Sequence, residues 1–218
     1  MGYNLDMSRI CPTVTANDLH EYREQLERVE SFAERVHIDL MDGKLAPTMS
    51  PALSDIWLSE KLICDIHLMY QNPSDFIKGL VALKPNMVIV HAEIHEANDL
   101  PFMATQLREA GIKFGLALLP QTSVESIKYL LPHCQAVLVF AGKLGYHGGE
   151  ADLSQLNKIK ELKDEHRWLE IHWDGGVNGK NTKQIAEAGV DVLNVGGFIQ
   201  KSENPKDSYL QLVALLQS

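Results

Sequence analysis

The sequence predicts a (β/α)8 barrel, the fold in which eight parallel strands close into a cylinder surrounded by helices. Eight apolar segments of strand length follow one another, separated by intervals that each leave room for one helix. Such alternation gives parallel strands with right-handed crossovers, and eight units in about 200 residues suit a closed barrel. An open doubly wound sheet is the alternative, but no GxGxxG motif follows the first segment.

The predicted elements are taken in order along the chain. The strands cover residues 8–14 (SRICPTV), 35–41 (RVHIDLM), 63–69 (ICDIHLM), 87–93 (MVIVHAE), 113–119 (KFGLALL), 136–142 (AVLVFAG), 169–175 (LEIHWDG) and 191–197 (DVLNVGG). Helical spacing is clear in residues 18–36, 73–83 and 153–166, with Asn17 and Ser74 as candidate N-caps. No segment resembles a linker, so we expect residues 1–218 to form a single barrel domain.

The composition is that of an acidic globular protein. The 218 residues are 45% hydrophobic and 22% charged, with a formal net charge of -9 at pH 7. Because binding to many phosphates requires clustered lysine and arginine, this charge disfavours nucleic acids and anionic membranes as partners. It does not exclude a phosphorylated small molecule, which backbone amides can bind without net positive charge.

Nothing in the sequence indicates a membrane or a secretory route. The first residues, MGYNLDMSR, lack an apolar segment, and no apolar run approaches the ~20 residues that span a bilayer. Cys11, Cys64 and Cys134 are odd in number and lack CxxC spacing, so we expect reduced, mostly buried thiols. A cytoplasmic location is therefore expected.

Polar residues fall late in several predicted strands, where (β/α)8 barrels carry their chemistry. Because side chains alternate along a strand, residues of the same parity share one face. Such faces carry His37, Asp39 and Met41 in the second strand, His67 and Met69 in the third, His91 and Glu93 in the fourth, and His172 and Asp174 in the seventh. If these faces point inward, the barrel mouth holds two imidazoles and at least two carboxylates.

A single histidine in a strand is more often a core residue than a ligand. Several polar residues together change that expectation, because burying two imidazoles and two carboxylates without a cation is costly. A divalent metal would satisfy all four of His37, Asp39, His67 and Asp174. Zinc, iron, manganese and cobalt all suit this N2O2 donor set.

Five segments, spread over nearly the whole chain, carry a specific pattern. They are ICPTVTANDL, HIDLMDGKLAPTMSP, DIHLMYQNPSDFI, VIVHAEIHE and WDGGVNGKNTKQIAEAGVDVLNVGG. An HxDxMDG segment is followed by an HLM strand and then by a DGGVN strand. In this order the motifs resemble the ribulose-phosphate 3-epimerases of the pentose phosphate pathway.

The resemblance implies one divalent metal on His37, Asp39, His67 and Asp174, with Asp39 and Asp174 as the catalytic acid and base. The chemistry agrees with this assignment. Inverting a carbon next to a ketone requires proton removal from one face and proton return to the other, so two acid/base groups must flank a planar enediolate. Asp42, of opposite parity, is expected to shape the loop.

The resemblance also assigns substrate-binding positions. Thr13 stands where the family usually has a serine near the substrate, and Met41 and Met69 match methionines on the floor of the site. Glycines in three successive strand-to-helix turns offer backbone N–H groups to a phosphate, namely Gly145, Gly148, Gly149, Gly175, Gly176, Gly196 and Gly197. The alternative is that these glycines only make tight turns.

The segment after the sixth strand departs from the family pattern. Phe140 replaces a methionine, His147 resembles a one-residue insertion, and Glu150 replaces a glutamine. At the end of the eighth strand, Gly197 stands where a serine would bind phosphate. We expect residues 141–150 still to close over the substrate, with Lys143 or His147 replacing the lost contacts.

The implied activity is interconversion of D-ribulose 5-phosphate and D-xylulose 5-phosphate, and the resemblance makes a homo-oligomer plausible. Alternatives remain open. One alternative is that the epimerase acts on a different substrate, such as allulose 6-phosphate or a neutral ketose whose terminal hydroxyl group Glu150 accepts. A decarboxylase or aldolase related to hexulose-phosphate synthase is disfavoured because Met41 stands where those enzymes have lysine. A non-catalytic phosphosugar-binding barrel is disfavoured because both Asp39 and Asp174 are present, and a protein that only binds the sugar needs no base on each of its faces.

Overall fold

Eight parallel strands close into a barrel in which each strand pairs with its sequence neighbours and the first pairs with the last. The structure is a computed structural model that describes residues 8–94, 97–146 and 148–217. The strands are β1 (Arg9–Thr15), β2 (Arg35–Met41), β3 (Ile63–Met69), β4 (Met87–His91), β5 (Lys113–Leu118), β6 (Ala136–Phe140), β7 (Glu170–Asp174) and β8 (Val192–Val195). The predicted (β/α)8 fold is confirmed.

Helices surround this barrel. Those described are α1 (Leu19–Glu30), α2 (Ile77–Leu83), α3 (Leu100–Glu109), α4 (Leu156–Glu165), α5 (Thr182–Glu187), α6 (Gly197–Gln200) and α7 (Pro205–Leu216). Short 3-10 helices form at Pro73–Phe76, Ala97–Asp99, Glu125–Ile127, Leu131–His133 and Leu153–Gln155. Within the described ranges, no helix combines the length and the apolar character that crossing a membrane requires.

Two connections differ from the expected alternation of one helix per strand. Residues 42–62, between β2 and β3, form turns and bends without a helix. This segment contains Pro47 and Pro51, which lack the N–H that a helix interior requires. Between β5 and β6 only two 3-10 helices form, in a segment interrupted by Pro120 and Pro132. Both strand pairs nevertheless hydrogen-bond directly, so the barrel stays closed.

The two observed N-caps differ from the predicted ones, one lying one residue later in the chain and the other two residues earlier. Asp18 caps α1, where its carboxylate accepts from the Glu21 N–H at 2.9 Å. Asn17, the predicted cap, instead donates to the Glu21 carboxylate from its backbone and its amide. At the second site the N-cap is Asn72 and not Ser74. At α1 the neighbouring Asp18 is a competing capping residue, which explains the shift there, whereas no side chain caps the helix at Pro73–Phe76.

The interior of the barrel has an apolar side and a polar side. Met87, Ile89, Ala117, Leu138 and Phe140 belong to one buried apolar cluster contributed by β4, β5 and β6. Strands β2, β3 and β7 carry most of the buried or largely buried histidines and acids that the sequence predicts to share a face, and His91 at the end of β4 joins them. Buried polar groups require partners, so the polar side is where a functional site is expected. The three cysteines are buried and free, as predicted.

One arginine joins the three strands that carry the predicted metal ligands. Arg35 of β2 donates from Nε to Asp65 of β3 at 2.5 Å, and from both terminal nitrogens to Glu170 of β7 at 2.9 Å. Asn86 donates to the other Asp65 oxygen at 2.6 Å, and a His172 ring nitrogen lies 2.9 Å from Glu170. The network fixes the relative positions of β2, β3 and β7 at the amino-terminal end of the barrel.

Arg35→Met is expected to lower the free energy of unfolding by about 3–5 kcal/mol, because it leaves two buried or half-buried carboxylates without their cation. The Asp65 side chain is 0% exposed and that of Glu170 is 27% exposed. Urea denaturation measures the loss, and Arg35→Lys, which keeps the charge without the two-pronged geometry, should lose less. A change below about 1 kcal/mol for Arg35→Met would show that the network is not needed for stability.

Candidate active site

Four predicted side chains from β2, β3 and β7 meet at the carboxyl-terminal end of the polar side. His37, Asp39, His67 and Asp174 each offer one ligand atom, and these atoms all lie within 4.8 Å of one another. Strand register explains the meeting, because Asp39 and His67 are direct partners in the β2–β3 ladder. His67 Nδ1 lies 3.0 Å and His37 Nε2 lies 3.3 Å from Asp39 Oδ1, and these two nitrogens lie 3.9 Å and 3.8 Å from Asp174 Oδ2.

The His37 ring shows that the cluster fits a divalent cation. The residue is 0% exposed, and neither of its ring nitrogens makes a hydrogen bond within the described residues. Nε2 approaches Asp39 Oδ1 at 3.3 Å without forming a hydrogen bond, and leaving a buried imidazole unsatisfied is costly, whereas coordination would satisfy one nitrogen directly. Two imidazole nitrogens and two carboxylate oxygens are also donors that transition metals accept.

His67 is oriented by a chain of contacts that reaches β4. Its Nε2 lies 3.0 Å from His91 Nε2, and His91 Nδ1 lies 3.1 Å from Glu93 Oε2. Several hydrogen bonds outweigh burial and lower the pKa of Glu93, so this carboxylate accepts from His91. When both imidazoles are neutral, His91 Nε2 then accepts from His67, which leaves a lone pair on His67 Nδ1. That lone pair faces Asp39, and a cation between them would satisfy both groups.

The two carboxyl groups of the cluster differ in their affinity for protons. Burial raises the pKa of Asp174 to about 7, and the charge of Asp39 adds to this rise. Burial acts in the same direction on Asp39, but the nearby His37 and His67 imidazoles outweigh it and lower the pKa. Thr15 Oγ1 also donates to Asp39 Oδ2 at 2.5 Å. One carboxylate is therefore ionised more readily than the other.

A cavity of about 230 Å³ opens beside this cluster. Asp39 and Asp174 line it together with the predicted positions Thr13, Met69, Gly145, Gly148, Gly149, Gly175, Gly176, Gly196 and Gly197. Met41 is the exception, because it is 2% exposed and packs with Met69 and Ala46 instead of lining the cavity. The predicted binding positions thus surround one space, with the carboxylate pair on its wall.

Two glycines allow the turns after β6 and β7 to touch backbone to backbone. Gly175 has a φ of 121°, and a Cβ there would collide with the backbone of Gly142. Gly176 has a φ of 65°, and a Cβ there would collide with the backbone of Ala151. Both positions therefore require glycine for packing. Gly142, Gly175 and Gly176 all border the cavity as well, so a packing role does not exclude a binding role for their amides.

The segment after β6 covers one edge of the cavity. Thr48 Oγ1 donates to the Gly145 carbonyl at 2.8 Å, which ties this segment to the loop after β2. Lys143 lines the cavity, and its Nζ lies 4.4 Å from the centre of the Tyr146 ring. Glu150 is exposed and does not line the cavity. His147, the other predicted replacement, lies outside the described residues.

Asp42 does not join the cluster. One of its carboxylate oxygens accepts from the N–H groups of Lys44 and Leu45, at 2.9 Å and 3.3 Å. The other accepts from the Gln71 N–H at 2.8 Å. Asp42 therefore shapes the loop after β2 and joins it to the end of β3, as its parity predicts.

Several polar residues that line the cavity escaped prediction from the sequence, among them Thr15, Asn178 and Asn194. Thr15 shares the parity of Thr13, so alternation along β1 would have indicated it. Asn178 follows the DGGV turn directly. Asn194 is a lone polar residue in an otherwise apolar strand, and that contrast is the signal that would have identified it.

Solved structures of other (β/α)8 enzymes have the same fold. The 3-keto-L-gulonate-6-phosphate decarboxylase from Vibrio cholerae has a TM-score of 0.73 at 11% identity, covering 97% of this chain and 98% of its own. The 3-hexulose-6-phosphate synthase from Salmonella typhimurium has a TM-score of 0.69 at 15% identity, covering 96% and 98%. At such identities the likeness supports the barrel fold alone.

Sequence relatives are more specific. The ribulose-phosphate 3-epimerase of Helicobacter pylori (strain ATCC 700392 / 26695) is 35% identical over 91% of this chain and 93% of its own length. The ribulose-phosphate 3-epimerase of Synechocystis is 30% identical over 89% of this chain and 88% of its own length. The profile of the ribulose-phosphate 3 epimerase family matches residues 9–199, which include every strand of the barrel. This chain therefore belongs to the ribulose-phosphate 3-epimerase family of isomerases.

Proposed function

We propose that this protein is a metal-dependent epimerase that interconverts D-ribulose 5-phosphate and D-xylulose 5-phosphate. Two largely buried carboxylates, Asp39 on β2 and Asp174 on β7, line one cavity beside two imidazoles, and this pairing carries the proposal. A site that only bound a phosphosugar would have no use for two carboxylates of different proton affinity. The names of the relatives support the choice of substrate.

The two carboxylates would transfer protons on opposite faces of carbon 3. One removes the proton next to the ketone, which leaves a planar enediolate, and the other returns a proton to the opposite face. Asp39 and Asp174 suit these roles because β2 and β7 are separated by two strands of the barrel wall. The Thr15 hydroxyl holds one Asp39 oxygen, which fixes the orientation of that carboxylate. In the reverse reaction the two groups exchange roles.

His37, Asp39, His67 and Asp174 would hold the divalent metal. When bound, the metal would supply positive charge that stabilises the enediolate oxygens as a Lewis acid. The contacts from His67 through His91 to Glu93 would keep the imidazole in the orientation that coordination requires.

The phosphate of the sugar would bind at the glycine-rich turns. The cavity extends from the carboxylate pair to the turns after β6, β7 and β8, where Gly148, Gly176 and Gly197 border it. Backbone N–H groups can hold a phosphate there without net positive charge. Lys143 adds one cation, and Glu150 does not oppose the phosphate because its side chain lies outside the lining.

Turnover of D-ribulose 5-phosphate to D-xylulose 5-phosphate tests the proposal, with D-ribulose as the comparison. Because charge-assisted hydrogen bonds contribute ~1.5–3 kcal/mol each, we expect kcat/KM for the phosphorylated sugar to exceed that for the neutral sugar by at least about 100-fold. Coupled assays of xylulose 5-phosphate formation measure both.

Glu150→Gln is the matched variant and should change either value less than about threefold, as expected for an exposed side chain outside the cavity. Equal efficiency on both sugars would contradict the phosphate site. Turnover of a different ketose phosphate in place of ribulose 5-phosphate would retain the chemistry and change the substrate.

A further inference from the structure

Asn194 of β8 is a buried amide without partners that faces the cavity. The residue is 1% exposed, and neither its Nδ2 nor its Oδ1 makes a hydrogen bond within the described residues. It nevertheless lines the cavity beside the carboxylate pair. A buried amide that lacks both donor and acceptor contacts is costly, because folding removes its water without replacing it.

Other asparagines near the barrel interior do have partners. Asn86 donates to Asp65 at 2.6 Å, and the Asn181 side chain both donates to Gly176 and accepts from Asn178. Asn194 therefore stands apart from the amides that serve the fold. An unpaired buried polar group requires an explanation, and for a group that lines a cavity a ligand that completes its hydrogen bonds supplies one.

Strand register places Asn194 between the two ends of the candidate site. Its neighbour across the β7–β8 ladder is Asp174, and its neighbour across the β1–β8 ladder is Cys11. Two residues later, Gly196 begins the turn that borders the phosphate end of the cavity. The Asn194 amide therefore lies between the carboxylates and the phosphate-binding turns.

The chemistry of the amide selects the kind of group that it can bind. A carboxamide offers one strong acceptor and two donors, and a hydroxyl group is both a donor and an acceptor. A phosphate oxygen or a ketone oxygen only accepts hydrogen bonds, so it would satisfy Nδ2 but would leave Oδ1 without a donor. An apolar group would satisfy neither atom.

We propose that Asn194 binds a hydroxyl group of the ketose chain and thereby selects the substrate. This inference rests on the proposed function. With carbons 2 and 3 at the carboxylates and the carbon 5 phosphate at the glycine turns, carbon 4 spans the interval that Asn194 borders. The hydroxyl group on carbon 4 is therefore the group that Asn194 recognises.

The test uses two ligands that cannot react, D-ribitol 5-phosphate and its 4-deoxy analogue, with metal-loaded protein and titration calorimetry. In the unmodified protein the hydroxylated ligand should bind about 10- to 100-fold more tightly than the deoxy ligand, as expected for a buried hydrogen-bonded hydroxyl. Asn194→Leu, which keeps the branched shape without polar atoms, should bring this ratio close to one. Asn194→Ala should do the same, and it serves if the leucine variant fails to fold.

Asn86→Leu is the control, because it removes a half-buried amide that already has a partner. It should lower the melting temperature and keep the preference for the hydroxylated ligand. If the Asn194 variants keep that preference too, the inference is wrong while the proposed function stands. If the unmodified protein binds both ligands equally, Asn194 has no role in selection. If it binds neither, both the inference and the proposed phosphosugar substrate fail.

Discussion

Asp39→Asn and Asp174→Asn are each expected to lower kcat about 10³- to 10⁴-fold while the barrel stays folded. An amide has the shape of a carboxylate but cannot take or return a proton at neutral pH. Asp39 and Asp174 line the same cavity from β2 and β7, so losing either one removes proton transfer on one face of the substrate. Steady-state kinetics with ribulose 5-phosphate measure the loss of kcat, and circular dichroism of each variant shows whether the barrel stays folded.

Asp42→Asn is the matched control for these variants. Asp42 lies three residues from Asp39, but its oxygens accept from backbone N–H groups and do not join the cluster. An asparagine keeps one acceptor oxygen, so kcat should stay within about tenfold of the unmodified protein. The double variant of Asp39 and Asp174 should be little worse than either single one, since the pair acts as a unit. Near-normal turnover in either single variant would rule out a two-carboxylate mechanism.

Strand positions could be predicted from the sequence because apolar runs mark them directly. Strands β2 and β3 begin and end at the predicted residues, Arg35–Met41 and Ile63–Met69. Strand β1 runs one residue later than predicted, and the remaining five strands end one or two residues early, because their apolar runs continue into turns that no longer pair. The connection after β2 could not be predicted in detail, because its length allows a helix and only Pro47 and Pro51 argue against one.

Those parts of the candidate site that follow from the alternation of side chains along a strand could be predicted from the sequence. Those that depend on packing between distant residues could not. Alternation predicts that His37, Asp39 and His67 face inward, and the register of β2 against β3 brings them together. The unpaired state of Asn194 depends on which atoms surround it, and a sequence does not contain that information. The same holds for Met41, which packs in a small apolar cluster although its parity matches that of Asp39.

His37→Ala and His67→Ala are expected to lose the bound divalent metal and, with it, turnover. Protein purified without chelator should hold about one equivalent of zinc, iron, manganese or cobalt per chain, measured by mass spectrometry of the elements. Both variants should remain folded, because open catalytic sites contribute less to stability than closed structural ones. His20→Ala is the control for adventitious binding, since the His20 side chain is 82% exposed on α1 and lies outside the cluster.

Glu93→Gln should give an intermediate result, which separates ligands from the residues that orient them. It leaves all four ligands in place and removes the carboxylate that accepts from His91, so metal affinity should fall about 10- to 100-fold. Metal-free protein whose activity does not respond to added zinc or manganese would contradict the metal site altogether. Equal affinity in Glu93→Gln and the unmodified protein would contradict only the orienting role.

The pH dependence of stability offers a separate test of the metal site. In the protein without a cation, burial and the charge of Asp39 raise the pKa of Asp174 to about 7, above its ordinary value of 3.8. The unfolded chain therefore releases this proton first, so the metal-free protein should lose stability as the pH rises between these two values.

A cation in the cluster favours the ionised carboxylate and offsets that loss. The difference in melting temperature between metal-loaded and metal-stripped protein should consequently grow from about pH 5 to about pH 8. A difference that shrinks with rising pH would contradict coordination by Asp174 and by His37, whose pKa the neighbouring carboxylates also raise, because each must lose its proton to bind the metal.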